Sequence, residues 1–265
     1  MTVDDNDERP PKAYENADFL HSRAARPLRI LSEYLQPESR FQAAHVRDTI
    51  VIFGSARAPS PEQVAQLRAE GKNNSALKLA RYYEEARELA RRMTEWSKSL
   101  DREDRRFVVC TGGGPGIMMA ANRGASEARG LNVGLGISLP FVAVPNPYVT
   151  RQLSFEFHYF FTRKYWFVYL AKAIVIMPGG FGTMDELFEV LTLVQTGKVK
   201  KPISVVLYGN DFWERVVNFD ALAEYGVISP DDLNLFHRSN SVDDAFHYLT
   251  TELTRVHLGD SSPTM

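Results

Sequence analysis

Apolar runs alternate along the chain with amphipathic stretches, and several of the runs end in glycine turns. Thr49-Ile50-Val51-Ile52-Phe53 reads as a buried strand ending at Gly54-Ser55. Phe107 to Cys110 reads as a second strand entering Thr111-Gly112-Gly113-Gly114-Pro115-Gly116, and Asn132 to Leu139, Ala173 to Met177 and Ile203 to Leu207 supply three more. Continuous apolar runs of this length suit strands covered on both faces. The intervening polar-apolar periodicity predicts helices over 75–98, 115–129, 158–170, 183–196, 211–224 and 242–253. Pro115 suits the first position of its helix, and Gly130 and Gly197 suit helix ends. Strands alternating with helices predict an α/β fold of three layers, a mostly parallel sheet with helices on both faces.

The beginning of the chain reads differently. Residues 1–12 are charged and carry Pro10-Pro11, so they are expected to be disordered. Residues 13–45 form a helical extension, weakly periodic from Tyr14 to Tyr34 and broken at Pro37-Glu38-Ser39. Residues 46–258 make up one domain. Pro140, Pro145 and Pro147 place a loop before a short extended piece at Tyr148 to Thr150.

Composition narrows the chemistry. With 265 residues the chain buries a full core without staples. Thirty-one basic and 33 acidic residues leave a formal charge of -2, so neither nucleic acid nor an anionic membrane is an expected partner. The single cysteine, Cys110, sits in an apolar run and reads as a core residue in a cytoplasmic protein. The acidic start is unlike a secretory signal, and charges interrupt the most apolar stretch, 155–177. No cluster has metal-ligand spacing, no Gly-x-Ser-x-Gly elbow occurs, and no metal or cofactor is expected.

Two glycine loops carry the functional signal. Both Thr111 to Met118 and Pro178-Gly179-Gly180-Phe181-Gly182-Thr183-Met184-Asp185-Glu186 join a strand to a helix. Glycines admit an anion close to backbone amides, and a helix start adds partial positive charge. Neither the dinucleotide fingerprint nor a Walker loop is present in the first. In the second, Thr183 is placed to cap the helix and to offer its hydroxyl to a phosphate. Thr183-x-x-Glu186 also fits a capping box, a structural device. On a helical wheel, however, Glu186 falls on the flank of the apolar arc while Asp185 and Glu189 fall outside it, which suits an inward carboxylate. Arg163 and Lys164 lie within an aromatic stretch, Phe155 to Tyr169, read as core or subunit interface. Cations there call for carboxylates, an anionic ligand, aromatic faces or an outlet to solvent.

Together Gly54-Ser55-Ala56-Arg57, Thr111 to Met118, Thr162-Arg163-Lys164 and Pro178 to Glu186 resemble the LOG family, the cytokinin riboside 5′-monophosphate phosphoribohydrolases, in its longer bacterial form. Members are often mislabelled as lysine decarboxylases. The resemblance covers about 50–208 and implies a Rossmann-like nucleotide-binding fold, a nucleoside monophosphate substrate such as AMP, and a homo-oligomer of at least two subunits. It implies that Arg163 and Glu186 are the catalytic pair. The substrate and phosphate site implied comprises Gly54, Ser55, Gly113, Gly114, Gly116, Met118, Lys164, Pro178, Gly179, Gly180, Gly182 and Thr183. The chain departs from the family pattern at Met119, Phe141-Val142-Ala143-Val144 and Asp185, which bears on base preference. Two other readings remain: a non-catalytic nucleotide carrier on the same fold, and a pyridoxal phosphate-dependent decarboxylase, for which no lysine is persuasively set.

Overall fold

Strand β1 (Thr49–Phe53) is buried along its whole length because it occupies the middle of the sheet. The computed structural model describes residues 10–71, 75–100, 104–139 and 146–259. Most of the stretch expected to be disordered, together with Pro140, Pro145 and Phe141-Val142-Ala143-Val144, lies outside the described residues. The other strands are β2 (Val108–Thr111), β3 (Asn132–Ile137), β4 (Ser154–Phe157), β5 (Ala171–Ile176), β6 (Ser204–Tyr208) and β7 (His237–Ser239). They form a seven-stranded sheet in the order β4-β3-β2-β1-β5-β6-β7. Every pairing is parallel, as in β1 on β5, where Ile50 to Phe53 face Ala173 to Ile176.

The helices are α1 (Ala17–His21), α2 (Arg26–Ala43), α3 (Pro61–Ala69), α4 (Ala80–Ser99), α5 (Ile117–Glu127), α6 (Phe160–Tyr169), α7 (Phe181–Gln195), α8 (Asn210–Val216), α9 (Phe219–Glu224) and α10 (Val242–His257). Alternate residues of β1 enter opposite cores. Ile50 and Ile52 pack with α4, α5 and α10 through residues such as Leu89, Ile117 and Leu249. Val51 and Phe53 pack on the other face with Phe41 of α2, Phe167 of α6, Leu187 of α7 and Trp213 of α8. The chain therefore has the expected three-layer Rossmann-like α/β fold.

Several boundaries differ from those expected. Helix α2 runs straight through Pro37. A proline there has no N–H for the carbonyl of Glu33, and the indole N–H of Trp166 donates to that carbonyl instead, at 3.1 Å. The aromatic stretch is not wholly helical: Phe155 and Phe157 belong to edge strand β4, where they point inward while Ser154 and Glu156 point out. Pro115 lies ahead of α5, whose N-cap is Gly116. Helix α3 is extra; Ser60 and Gln63 form its capping box, with Pro61 in the first turn. The helix expected over 211–224 is two, separated at Val217 and restarted by Asn218, whose side chain accepts from Ala221 N–H. The helix expected over 75–98 begins at Ala80, after a 3-10 turn at Ser75–Leu79.

Candidate functional site

The sheet changes direction at β1, whose neighbours β2 and β5 lead to opposite edges. Ligands of open α/β sheets bind at such a switch point, beyond the carboxyl ends of the strands. Here the loops after β1, β2 and β5 are tied together through Ser55. Its N–H donates to Pro178 O at 2.9 Å, and its carbonyl accepts from Ile117 N–H at 3.0 Å. Gly116 allows this contact. It has φ +67, and a Cβ there would meet Ser55 O and lie 2.6 Å from Ala56 C. Gly54 is constrained by close approach alone, since its Cβ would lie 2.7 Å from the Ile117 side chain.

A cavity of about 660 Å³ opens over this junction. From the expected site it is lined by Gly54, Ser55, Met118, Arg163, Gly179, Gly180, Gly182, Thr183 and Glu186. Gly112, Arg57, Leu79, Phe160, Phe181, Met184 and Phe212 also line it and were not foreseen as site residues. Gly112, Phe181 and Met184 lie within the two glycine motifs, but Leu79, Phe160 and Phe212 come from separate elements and left no local signal.

Other expected residues stand behind the wall. Gly113 donates its N–H to Thr111 Oγ1 at 2.9 Å and packs on Gly134, so that amide is already engaged. Gly114 packs beneath Met118, Gly116 is spent on Ser55, and Pro178 turns its carbonyl to Ser55. Lys164 does not reach the cavity. It pairs with Asp185 at 2.7 Å and Glu189 at 2.9 Å; burial opposes its charge, but hydrogen bonds to those carboxylates outweigh it and raise its pKa.

A buried network fixes the first loop. Thr111 Oγ1 donates to Asn122 Oδ1 at 2.6 Å, and Asn122 Nδ2 donates to Asn132 Oδ1 at 2.9 Å. Asn146 donates to the same Asn122 oxygen at 3.0 Å, which ties in the segment after β3.

Helix α7 starts at Phe181 with Gly180 as N-cap. Thr183 is therefore inside the first turn rather than at the cap, and no capping box forms. The first N–H groups of a helix have no intrahelical acceptor, and those of α7 open toward the cavity with the positive end of its dipole. Gly179 lets Thr183 sit close, because a Cβ there would fall 2.6 Å from Thr183 Cβ.

Glu186 lies one turn further on. Its side chain is buried, 5% exposed, and Oε2 has no hydrogen-bond partner among the described residues. Burial pushes its pKa up to about 7, against the pull of Lys164 and Arg163 and with help from Glu189 and Asp185. Arg163 enters from α6. Its Nε donates to Leu135 O at 2.7 Å and its guanidinium lies 4.9 Å from the centre of the Phe167 ring. Burial lowers its pKa from the usual arginine value, while Glu186 opposes that fall. A buried cation and a buried carboxylate thus share one cavity with a helix start. Such an assembly suits a small anionic ligand with hydroxyl groups to donate. Among the described residues no cluster of three or more His, Cys, Asp or Glu is placed to hold a metal, and no helix is long and apolar enough to cross a membrane.

Fold and cavity thus define a Rossmann-like protein with a pocket for a small ligand at the switch point. Comparison with known proteins shows what the chain is similar to. The profile described as "Possible lysine decarboxylase" matches residues 118–249. Cytokinin riboside 5′-monophosphate phosphoribohydrolase LOG7 of Arabidopsis thaliana is 35% identical over 60 residues, 23% of this chain and 28% of that protein. The cytokinin riboside 5′-monophosphate phosphoribohydrolase of Rhodococcoides fascians is 31% identical over 126 residues, 46% of this chain and 62% of that protein. These matches bear out the resemblance to the LOG family read from the motifs. The matches span less than two thirds of these relatives' own length. Among solved structures, the molybdenum cofactor binding protein from Rippkaea orientalis superimposes with a TM-score of 0.51 at 17% identity, covering 78% of this chain and 99% of that one. That likeness concerns the fold.

Proposed function

We propose that the protein hydrolyses the N-glycosidic bond of a nucleoside 5′-monophosphate, AMP or a cytokinin riboside monophosphate, to a free base and ribose 5-phosphate. The observation that carries this reading is the buried, unpartnered Oε2 of Glu186 beside Arg163 and the open start of α7. The activity for which the two relatives are named supports it.

The 5′-phosphate lies on the amides at the start of α7, with the Thr183 hydroxyl. The sugar then reaches Glu186, whose free oxygen accepts a ribose hydroxyl. The base extends along Met118, Phe160 and Leu79. In the reaction the C1′–N bond breaks with its electron pair going to the base, which takes up a proton. Water adds to C1′ and loses a proton. Positive charge gathers on the ribose in between, and an ionised Glu186 in a water-poor cavity stabilises it or activates the water. Arg163 orients the nucleotide and favours the ionised form of Glu186.

The test is incubation with AMP and a cytokinin riboside monophosphate, following free base and ribose 5-phosphate by chromatography. Equimolar appearance of both supports the reading. Calorimetric binding without release from any nucleotide favours the carrier instead. The working unit is proposed to be a homo-oligomer of at least two subunits, since Leu31 and Leu35 of α2 and Phe161 and Tyr169 of α6 leave large apolar side chains exposed. Light scattering that returns the monomer mass of 30.0 kDa refutes this.

A further inference from the structure

Helix α6 delivers Arg163 to the cavity but supplies no cap of its own. Its N-cap residue, Tyr159, makes no side-chain cap hydrogen bond. The cap comes from a helix 125 residues earlier in the chain, where Glu33 of α2 turns its carboxylate onto the start of α6. Oε1 accepts from His158 N–H at 2.7 Å, and Oε2 accepts from Tyr159 N–H at 3.2 Å and from Thr162 Oγ1 at 2.6 Å. The backbone of the same residue is engaged too, because its carbonyl, left free by Pro37, accepts from Trp166 Nε1 at 3.1 Å. One residue therefore grips the first turn of α6 by its side chain and the second by its carbonyl. At the far end, Lys201 Nζ donates to the carbonyls of Val168, at 2.7 Å, and Tyr169. The helix is fixed along its axis, and Arg163 follows directly after Thr162.

We infer that Glu33 is a positioning residue for the reaction, acting through α6 to hold the Arg163 guanidinium in register with Glu186, and that helix α2 is thereby part of the working site. This deepens the phosphoribohydrolase reading and rests on it. A negative charge at the start of α6 also complements that helix's dipole, so the grip has an electrostatic as well as a hydrogen-bonded component. Glu33 touches no cavity atom, so a solely structural role would lower stability and leave turnover per folded molecule unchanged. A positioning role moves kcat.

The experiment uses the full chain carrying Glu33→Gln and Glu33→Ala, each alone and combined with Arg163→Ala. Gln keeps the shape and one acceptor oxygen, so it guards against misfolding. Misplacing a site residue by about an ångström costs up to about 100-fold, so Ala is expected to lower kcat for base release by about 10- to 100-fold with KM changed less than about 3-fold, and Gln to fall between. In the Arg163→Ala background the same change is expected to add nothing, because the two act as one unit. Amide exchange at His158 and Tyr159 is expected to speed up in both variants. Unchanged kcat in Glu33→Ala, or a full further loss on top of Arg163→Ala, overturns the inference. If the wild-type chain releases no base at all, the phosphoribohydrolase reading fails separately. The same cycle is then read in AMP affinity by calorimetry: a loss absent from the Arg163→Ala background supports the coupling, and an additive or absent loss overturns it.

Discussion

Arg163 and Glu186 face one cavity from α6 and α7 without forming an ion pair with each other. Arg163 spends its Nε on Leu135 O, and Glu186 keeps Oε2 unpaired. A direct pair would neutralise both groups in the resting protein. Held apart, the guanidinium and the carboxylate are both available to a ligand, at the cost of a buried, unsatisfied oxygen. Arg163→Lys preserves the charge but loses the planar fork that bonds Leu135. Base release from AMP is expected to fall by about 10-fold or more in steady-state kinetics, mainly in kcat. A variant as active as wild type contradicts an orienting role for Arg163.

The raised pKa of Glu186 has a stability consequence of fixed sign. Its folded value, about 7, lies above the ordinary carboxylate value of 4.5. The unfolded chain therefore ionises first. The folded state is unpenalised below about 4.5, loses stability as pH rises toward about 7, and carries the full cost above that. The cost reaches at most about 3 kcal/mol. Glu186→Gln removes it, so its denaturation midpoint is expected to exceed that of wild type near pH 9 and to match it near pH 4. Urea titrations at the two pH values decide the matter, and equal gaps at both contradict the burial-driven shift.

The same group sets the pH profile of the proposed reaction. An ionised Glu186 is needed, so kcat/KM for AMP is expected to rise through about pH 7 and then level. Lys164 lowers the Glu186 pKa, whereas Asp185 and Glu189 raise it. Lys164→Met deletes the favourable charge and unmasks the two carboxylates, so the rising limb is expected to move to higher pH. A limb that stays in place shows that another group controls the rate.

The glycines divide into two kinds, and substitution separates them. Gly116→Ala forces a side chain into a positive-φ position against Ser55 and Ala56 backbone. It is expected to cost about 1–3 kcal/mol from backbone strain alone, more with the clash. Gly180→Ala meets nothing within 4 Å, and is expected to change stability by less than about 0.5 kcal/mol. Because Gly180 lines the cavity, the alanine is expected to weaken AMP binding in calorimetry. A destabilised Gly180→Ala with intact affinity contradicts the assignment of that glycine to the ligand.

The layers of this fold were legible in the sequence because buried parallel strands write continuous apolar runs, as from Ile50 to Phe53 and from Ala173 to Ile176. Strand β4 was not, since Ser154 to Phe157 is short, follows directly on a 3-10 turn at Arg151–Leu153 and leads within two residues into aromatic α6. The break expected at Pro37 was misread because the rescue comes from Trp166, in a different element. Glycine loops advertised the site, but which amides stay open depends on Thr111 and Ser55 closing others. Thr183-x-x-Glu186 was ambiguous until the cap proved to be Gly180. Glu33 left no local sign because its partners lie on distant elements.

The most direct single comparison is AMP binding and adenine release measured side by side for wild type and Glu186→Gln. The expected result is near-equal calorimetric affinity for the two, with adenine release from the variant slower by about 100-fold or more. Equal rates of release, or wild-type binding with no adenine formed, would contradict a glycosidic role for the buried carboxylate.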